Sequence, residues 1–258
     1  MSESKIKIKD KNKIFKLYDY NVYDTLSSFD DKNDYDKYKD NKKFQIQAFA
    51  INSDGKTASI IINGFKPFFY IKVGDDWSEK IKTEFIIQLK KRMGNYYENS
   101  IVESKLIKRN KLNMFDNKKL HTFLYLSFTN TLAYNKAKKI FYDETFDNGY
   151  YEKTLKKDGF IFNNEKIVTN CYLYEGDIPP LLKLFHIKQI SPSGWVSFPT
   201  NRLIIIKEKT THCYYEYVIN YENIIPIKNI EAPVKYNICS FDIEASSSHG
   251  DFPVAIKD

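Results

Sequence analysis

Near the carboxyl end of the sequence, Asp242 and Glu244 stand two residues apart in the string Ser240-Phe241-Asp242-Ile243-Glu244. Side chains alternate between faces along a strand. An extended backbone here would point both carboxylates one way and send Phe241 and Ile243 into a core. Carboxylate oxygens are ligands for hard divalent cations. Two such cations about 3.5–4 Å apart can activate a water and neutralise the leaving oxygen of a phosphodiester. The bare pattern is common: 33 acidic residues in 258 give about four acidic-x-acidic pairs at random. Two solvated carboxylates at a strand end are the plain alternative, and context has to separate the two.

Other reactive residue types form no pattern. Cys171, Cys213 and Cys239 show neither a CxxC nor a zinc-ligand spacing, and His121, His186, His212 and His249 are isolated from one another. The basic group Lys105, Lys108, Arg109 and Lys111 could meet phosphates, with Tyr96, Tyr97 and Phe115 as stacking partners. Charge runs in lysine-rich chains are usually solvated, and a solvated loop is the reading preferred here. The formal charge of +7 favours a polyanionic partner. The abundance of Lys, Asn and Ile, all with A/T-rich codons, offers a second source for that charge.

These residues must be positioned by a folded unit. At 258 residues, with 42% hydrophobic residues, 20 Tyr and 19 Phe, the chain can bury a core and is not wholly disordered. The amino terminus is charged from the start, with no apolar signal segment, and no aliphatic run is long enough to cross a bilayer. An intracellular, soluble protein is expected. Residues 24–43, rich in Asp, Lys and Asn, read as a flexible solvated loop. Alternation then predicts strands over 44–51 and 57–62, joined by the Ser53-Asp54-Gly55 turn, and a third over 68–73. A helix is predicted to start from an N-cap within Asp75–Ser78 and to end at Gly94, with Ile81, Phe85, Leu89 and Arg92/Met93 at helical spacing, and another follows Asn130, with Ala133, Ala137, Ile140 and Phe141 on one face. Between them lies a strand over 122–128. A hydrophilic stretch covers 143–164. Asp177 is expected to cap a further helix, with Pro179 and Pro180 tolerated in its first turn. An antiparallel pair follows at 203–206 and 213–219, then a connector bracketed by Pro226 and Pro233. Hairpins mixed with separated helices argue for an α+β fold.

The string SFDIEASSSHGDFP resembles the first exonuclease motif of family B DNA polymerases, in the form found in large DNA viruses of the mimivirus kind. Three upstream segments match that family in order. GFKPFFYIKV (64–73) is similar to its "GF-x-P-Y-F-Y-V" strand, with Phe68 in place of Tyr. YEGDIPPLLKLF (174–185) is similar to "Y-E-S-N-I-P-F-x-L-R-F", with Lys183 where Arg is usual. Gly194-Trp195-Val196 is similar to "G-x-W-I". Each of the three also has an ordinary reading as a turn, a helix start or a packing anchor.

The resemblance implies a polymerase N-terminal domain over 1–232 and, over 233–258, the start of an RNase H-like 3′–5′ exonuclease domain carrying its first strand. It implies catalytic and metal-binding roles for Asp242 and Glu244 with two Mg²⁺ (or Mn²⁺) ions, and DNA as template, primer and single strand. Further exonuclease and polymerase domains, in cis or in trans, would complete the enzyme, so the chain alone is expected to be catalytically incomplete. Two other readings stand beside this one. One is a single-stranded-DNA-binding accessory protein that keeps the polymerase N-terminal fold; the other is a small independent nuclease.

Overall fold

Phe44, Ile46, Ala48 and Ala50 all point inward from one strand, as their alternation predicts, and the first sheet is built around them. The computed structural model describes residues 12–26, 40–111, 116–147, 150–228, 233–234, 236–244 and 246. In chain order, β1 (Asn12–Thr25), β2 (Lys43–Ile51) and β3 (Thr57–Asn63) form an antiparallel meander. There follow β4 (Phe68–Lys72), α1 (Glu79–Met93), β5 (Ile101–Asn110), β6 (Leu120–Phe128) and α2 (Thr131–Lys139). The hairpin of β7 (Tyr142–Asp147) and β8 (Tyr150–Leu155) leads to β9 (Phe160–Asn163) and β10 (Val168–Tyr174). Helix α3 (Pro180–Lys188) precedes β11 (Trp195–Pro199), β12 (Ile204–Ile205), β13 (Tyr215–Asn220) and β14 (Ile225–Ile227).

Two sheets result. The first has the order β12-β13-β3-β2-β1-β11-β14, antiparallel except where β13 runs parallel to β3. The second, β5-β6-β4-β10-β9, is antiparallel throughout and is inserted between β3 and β11 of the first. The fold is α+β, as expected. Phe15, Ile46, Ile60, Phe198 and Ile219 share one core with Leu184 and Phe185 of α3. Phe69, Ile71, Leu124 and Leu126 of the second sheet share another with Phe85 and Leu89 of α1 and Ala133 and Ala137 of α2. Among the described residues no helix is long and apolar enough to cross a membrane.

Local chemistry explains the helix ends. Ser78 caps α1, its hydroxyl accepting from the Ile81 N–H, and the helix stops at Gly94, whose φ of +94° suits a residue without a Cβ. Asn130 caps α2 through the Ala133 N–H at 2.8 Å. Asp24, at the end of β1, adds a carboxylate to the same helix end, accepting from the Thr131 and Leu132 N–H groups at 3.0–3.1 Å. The Asn130 amide also donates to the Lys42 carbonyl and the Asp40 carboxylate, so α2 ties β1 to the approach to β2.

Several expectations are corrected. Strand β1 falls where no strand was predicted: a bulge at Tyr18 lets its first part pair with β11 and its remainder with β2, so no single alternation spans it. Asp24 and Thr25 belong to that strand and pair with Phe44 and Lys43, while 27–39 of the expected loop lies outside the described residues. The basic group is no loop, since Lys105, Lys108 and Arg109 lie on β5, an edge strand whose lysines discourage edge-to-edge pairing. The hydrophilic stretch 143–164 holds β8, β9 and most of β7. Asp177 does not cap α3, whose N-cap is Pro179; its carboxylate accepts from the Tyr142 hydroxyl at 2.8–2.9 Å and pairs with Lys138.

Candidate functional site

Asp242 and Glu244 lie in 236–244, a described segment with no strand assignment. The expected strand with an inward Phe241 and Ile243 is not what is observed, for these side chains are 79% and 76% exposed, and Ile238 is 88% exposed. A strand needs a ladder partner for its N–H and C=O groups, and among the described residues none pairs with this segment. The Asp242 carboxylate accepts from the neighbouring Ile243 N–H at 2.8 Å, and Tyr236 meets Tyr18 of β1 edge-on, with centroids 6.3 Å apart. Among the described residues no group of three or more His, Cys, Asp or Glu side chains is placed to hold a metal ion.

The three upstream segments have packing roles that the structure makes explicit. Gly64 ends β3 with φ +83°, and a Cβ there would sit 2.4 Å from the Asn220 amide of the parallel neighbour β13. Phe65 and Phe68 enter the first core. Lys183 of α3 is buried, yet its ammonium donates to the Phe68 carbonyl and lies 4.5 Å from the centre of the Phe68 ring. Two segments more than a hundred residues apart in sequence therefore meet at one cation. Burial pushes the Lys183 pKa down to about 8. Gly176 offers its carbonyl to the buried Tyr134 hydroxyl at 2.6 Å. Trp195 is 6% exposed on β11, which makes it a packing anchor and leaves no ring face open to a base.

Sequence reasoning missed the Lys183–Phe68 contact, because nothing local marks a lysine as buried; the apolar neighbours Leu181, Leu182 and Leu184 are the available signal. It also missed Glu216. This buried carboxylate on β13 accepts from the backbone and hydroxyl groups of Thr210 and Thr211 at 2.6–3.3 Å. Burial alone would raise its pKa, but these hydrogen bonds outweigh burial and hold it below the usual Glu value.

Comparison with known proteins bears on the acidic string. The family model for the DNA polymerase family B exonuclease domain matches residues 171–258, beginning inside β10, well before the boundary expected at Pro233. The DNA polymerase of Phaeocystis pouchetii virus is 56% identical over 96% of the chain. That of Acanthamoeba polyphaga mimivirus is 24% identical over 93%. The DNA polymerase delta catalytic subunit of Plasmodium falciparum is 27% identical over 83%. The chain spans 23%, 13% and 19% of the lengths of these relatives. A solved family B DNA polymerase from the archaeon Pyrobaculum calidifontis aligns with 84% of the chain, which covers 21% of it, at a TM-score of 0.45 and 10% identity. Viral DNA polymerases thus align along nearly all of the chain, and the family B exonuclease domain is matched at its carboxyl end.

Proposed function

We propose that the chain is the N-terminal portion of a DNA-directed DNA polymerase with a 3′–5′ proofreading exonuclease, serving viral DNA replication inside the infected cell. In this reading residues 1–232 form a scaffold along the path of template and primer DNA, and 233–258 begin the exonuclease domain. The observation that carries it is the position of Ser240–Glu244 inside the span matched by the exonuclease family model.

Asp242 and Glu244 would then be ligands for two divalent ions. Their donor set suits Mg²⁺ or Mn²⁺, which prefer carboxylate oxygen to sulfur or imidazole. The ions supply an activated water and a counter-charge for the leaving oxygen when bound. Two carboxylates provide only part of the oxygens that two such ions need, and Mg²⁺ gives up its waters reluctantly. The remaining ligands would come from further exonuclease and polymerase domains, in cis or in trans. The exposed Ile238, Phe241 and Ile243 fit this picture, as an apolar strand still lacking its sheet neighbours.

A trimming assay tests the reading, with a 3′-mismatched primer–template and Mg²⁺ or Mn²⁺. The 258-residue chain alone should not trim. A polymerase carrying this segment together with a whole exonuclease domain should trim, and Asp242→Ala with Glu244→Ala should abolish trimming while polymerisation persists. Metal-dependent trimming by the chain alone, lost in that double variant, would overturn the proposal in favour of an independent nuclease.

A further inference from the structure

Strands β8 and β9 are joined by a tight turn but do not pair with each other. The Gly159 N–H donates to the Lys156 carbonyl at 3.0 Å, which closes the turn. A hairpin would continue from there. Instead β8 runs along β7, with the Lys156 N–H on the Phe141 carbonyl, and β9 runs along β10. The two strands diverge around a hollow of about 680 Å³, lined by Thr154 and Leu155 on one side and Phe160 and Ile161 on the other.

Both walls are open strand edges. In an antiparallel ladder, successive residues turn their backbone groups toward the partner and away from it by turns. The Asn164 N–H bonds to the Ile167 carbonyl, so Ile161 and Asn163 face away from β10. The Gln88 amide of α1 takes the Asn163 carbonyl at 2.9 Å, whereas the Ile161 N–H and C=O have no partner among the described residues. By the same count Lys153 and Leu155 face away from β7. The far edge of the inserted sheet, β5, is guarded by Lys105, Lys108 and Arg109. At this edge Phe160-Ile161-Phe162-Asn163 carries no charge and no proline, and Ile161 is 54% exposed. The β7–β8 ribbon has only two strands, an arrangement that is marginal alone in water. An added strand would supply what both edges lack.

The surroundings specify the strand that fits. Phe160 and Phe162 enter the second core, so Ile161 lies on the other face of β9. A strand beside β9 would alternate likewise, one residue against Ile161 and the next toward α1. On the α1 side the exposed Arg92 guanidinium lies 4.6 Å from the centre of the Phe160 ring. Lys90 and Lys91 precede it in the last turn of α1, and Lys157 is exposed in the β8–β9 turn. Two carboxylates also line the hollow. Asp143 is 4.0 Å from the Lys156 ammonium, which leaves Asp158 against Arg92 and Lys157. The excess charge is positive. We propose that this hollow takes an extended, acidic peptide segment of a partner protein as an added β-strand, with apolar residues beside Ile161 and acidic residues toward Arg92 and Lys157. Backbone bonds to the open edge supply affinity, and the alternating side chains supply specificity. The proposal involves neither Asp242 nor Glu244, so it stands or falls separately from the exonuclease reading.

The probe is a fluorescein-labelled seven-residue peptide of alternating valine and glutamate with blocked ends, titrated by anisotropy into the 258-residue chain. It should bind, and binding should weaken with salt. N-methylation of the valine amides, which would face Ile161, should weaken binding about tenfold. Lysine in place of glutamate, or Arg92→Glu in the chain, should weaken it severalfold. Lys80→Glu, a charge reversal at an exposed position on α1, should leave it unchanged. Ile161→Pro removes the outward N–H at an edge position where proline is tolerated, and should abolish binding. Because that variant could disturb β9, hydrogen exchange on the unaltered chain supplies the second readout, with the peptide slowing exchange at the Ile161 amide. No binding, equal binding of the N-methylated peptide, or protection confined to other segments would overturn the proposal. So would a free chain that sediments as a dimer with Ile161 already protected, since a second copy would then be the occupant.

Discussion

Lys183 gives the fold a pH-dependent stability whose size follows from its surroundings. Its ammonium is buried, donates to the Phe68 carbonyl and lies against the Phe68 ring. Burial lowers its pKa from the ordinary 10.5 to about 8. That gap corresponds to about 3 kcal/mol of preference for the neutral amine in the folded state. In the unfolded chain Lys183 keeps its proton up to about 10.5, whereas the folded chain releases it above about 8. Between these values the unfolded state binds more protons, so stability rises with pH. Integrated from pH 7 to pH 9, this residue alone adds about 1.3 kcal/mol. Lys183→Met keeps similar length and removes the titration. Urea unfolding of both proteins at pH 7 and pH 9, followed by tryptophan fluorescence, isolates the effect as a difference of differences. The unaltered chain should gain about 1 kcal/mol more than Lys183→Met over that step. At pH 7 the two should lie within about 1 kcal/mol, since the variant buries no charge but leaves the Phe68 carbonyl without this donor. Parallel pH dependences would refute the reasoning, because they would mean that the ammonium is effectively solvated.

Gly64→Ala should cost about 1–3 kcal/mol in urea unfolding, because φ +83° is strained for alanine and its Cβ would push on Asn220. Adding Asn220→Ala should not restore the loss, since the strained φ remains. Asp24→Ala should lower stability by about 0.5–2 kcal/mol by removing the carboxylate at the α2 N-terminus; hydrogen exchange should show the loss first at the Thr131 and Leu132 amides. Glu216 has a folded-state pKa below its ordinary 4.5, so its contribution is present above that value and disappears as pH falls through the lowered pKa. The urea midpoint should therefore drop in acid, and Glu216→Gln should flatten that part of the drop.

What could be read from the sequence was local. The β2–β3 hairpin shows because one face is buried and the other is not, and Ser78, Gly94 and Asn130 mark their helix ends through side chains acting within four residues. The β7–β8 hairpin has no such signature: Phe146 is 66% and Leu155 49% exposed, so no alternation forms. Strand β5 read as a charge run because an edge strand buries little. The acidic pair was legible as a motif, but its strand was not confirmed, since pairing depends on neighbours and no sequence pattern supplies them. Lys183 and Asp24 act across 115 and 107 residues, on Phe68 and Thr131, distances over which only the fold brings groups together.

The insertion of one sheet within the other has a kinetic consequence. The chain leaves the first sheet at Asn63 and rejoins it at Trp195, so pairing β11 with β1 and β13 with β3 must close a loop of that span. As an open loop, that excursion would carry a large closure entropy and slow the search for the pairs. The inserted unit shortens it. Tyr70 of β4 pairs with Tyr174 of β10, so once the inserted sheet folds, its entrance and exit lie side by side. The long excursion then behaves as a short link. The order of events expected from this is inner sheet first and outer sheet closed around it afterwards, which pulsed hydrogen exchange would show as earlier protection of β4, β6 and β10 amides than of β11 and β13.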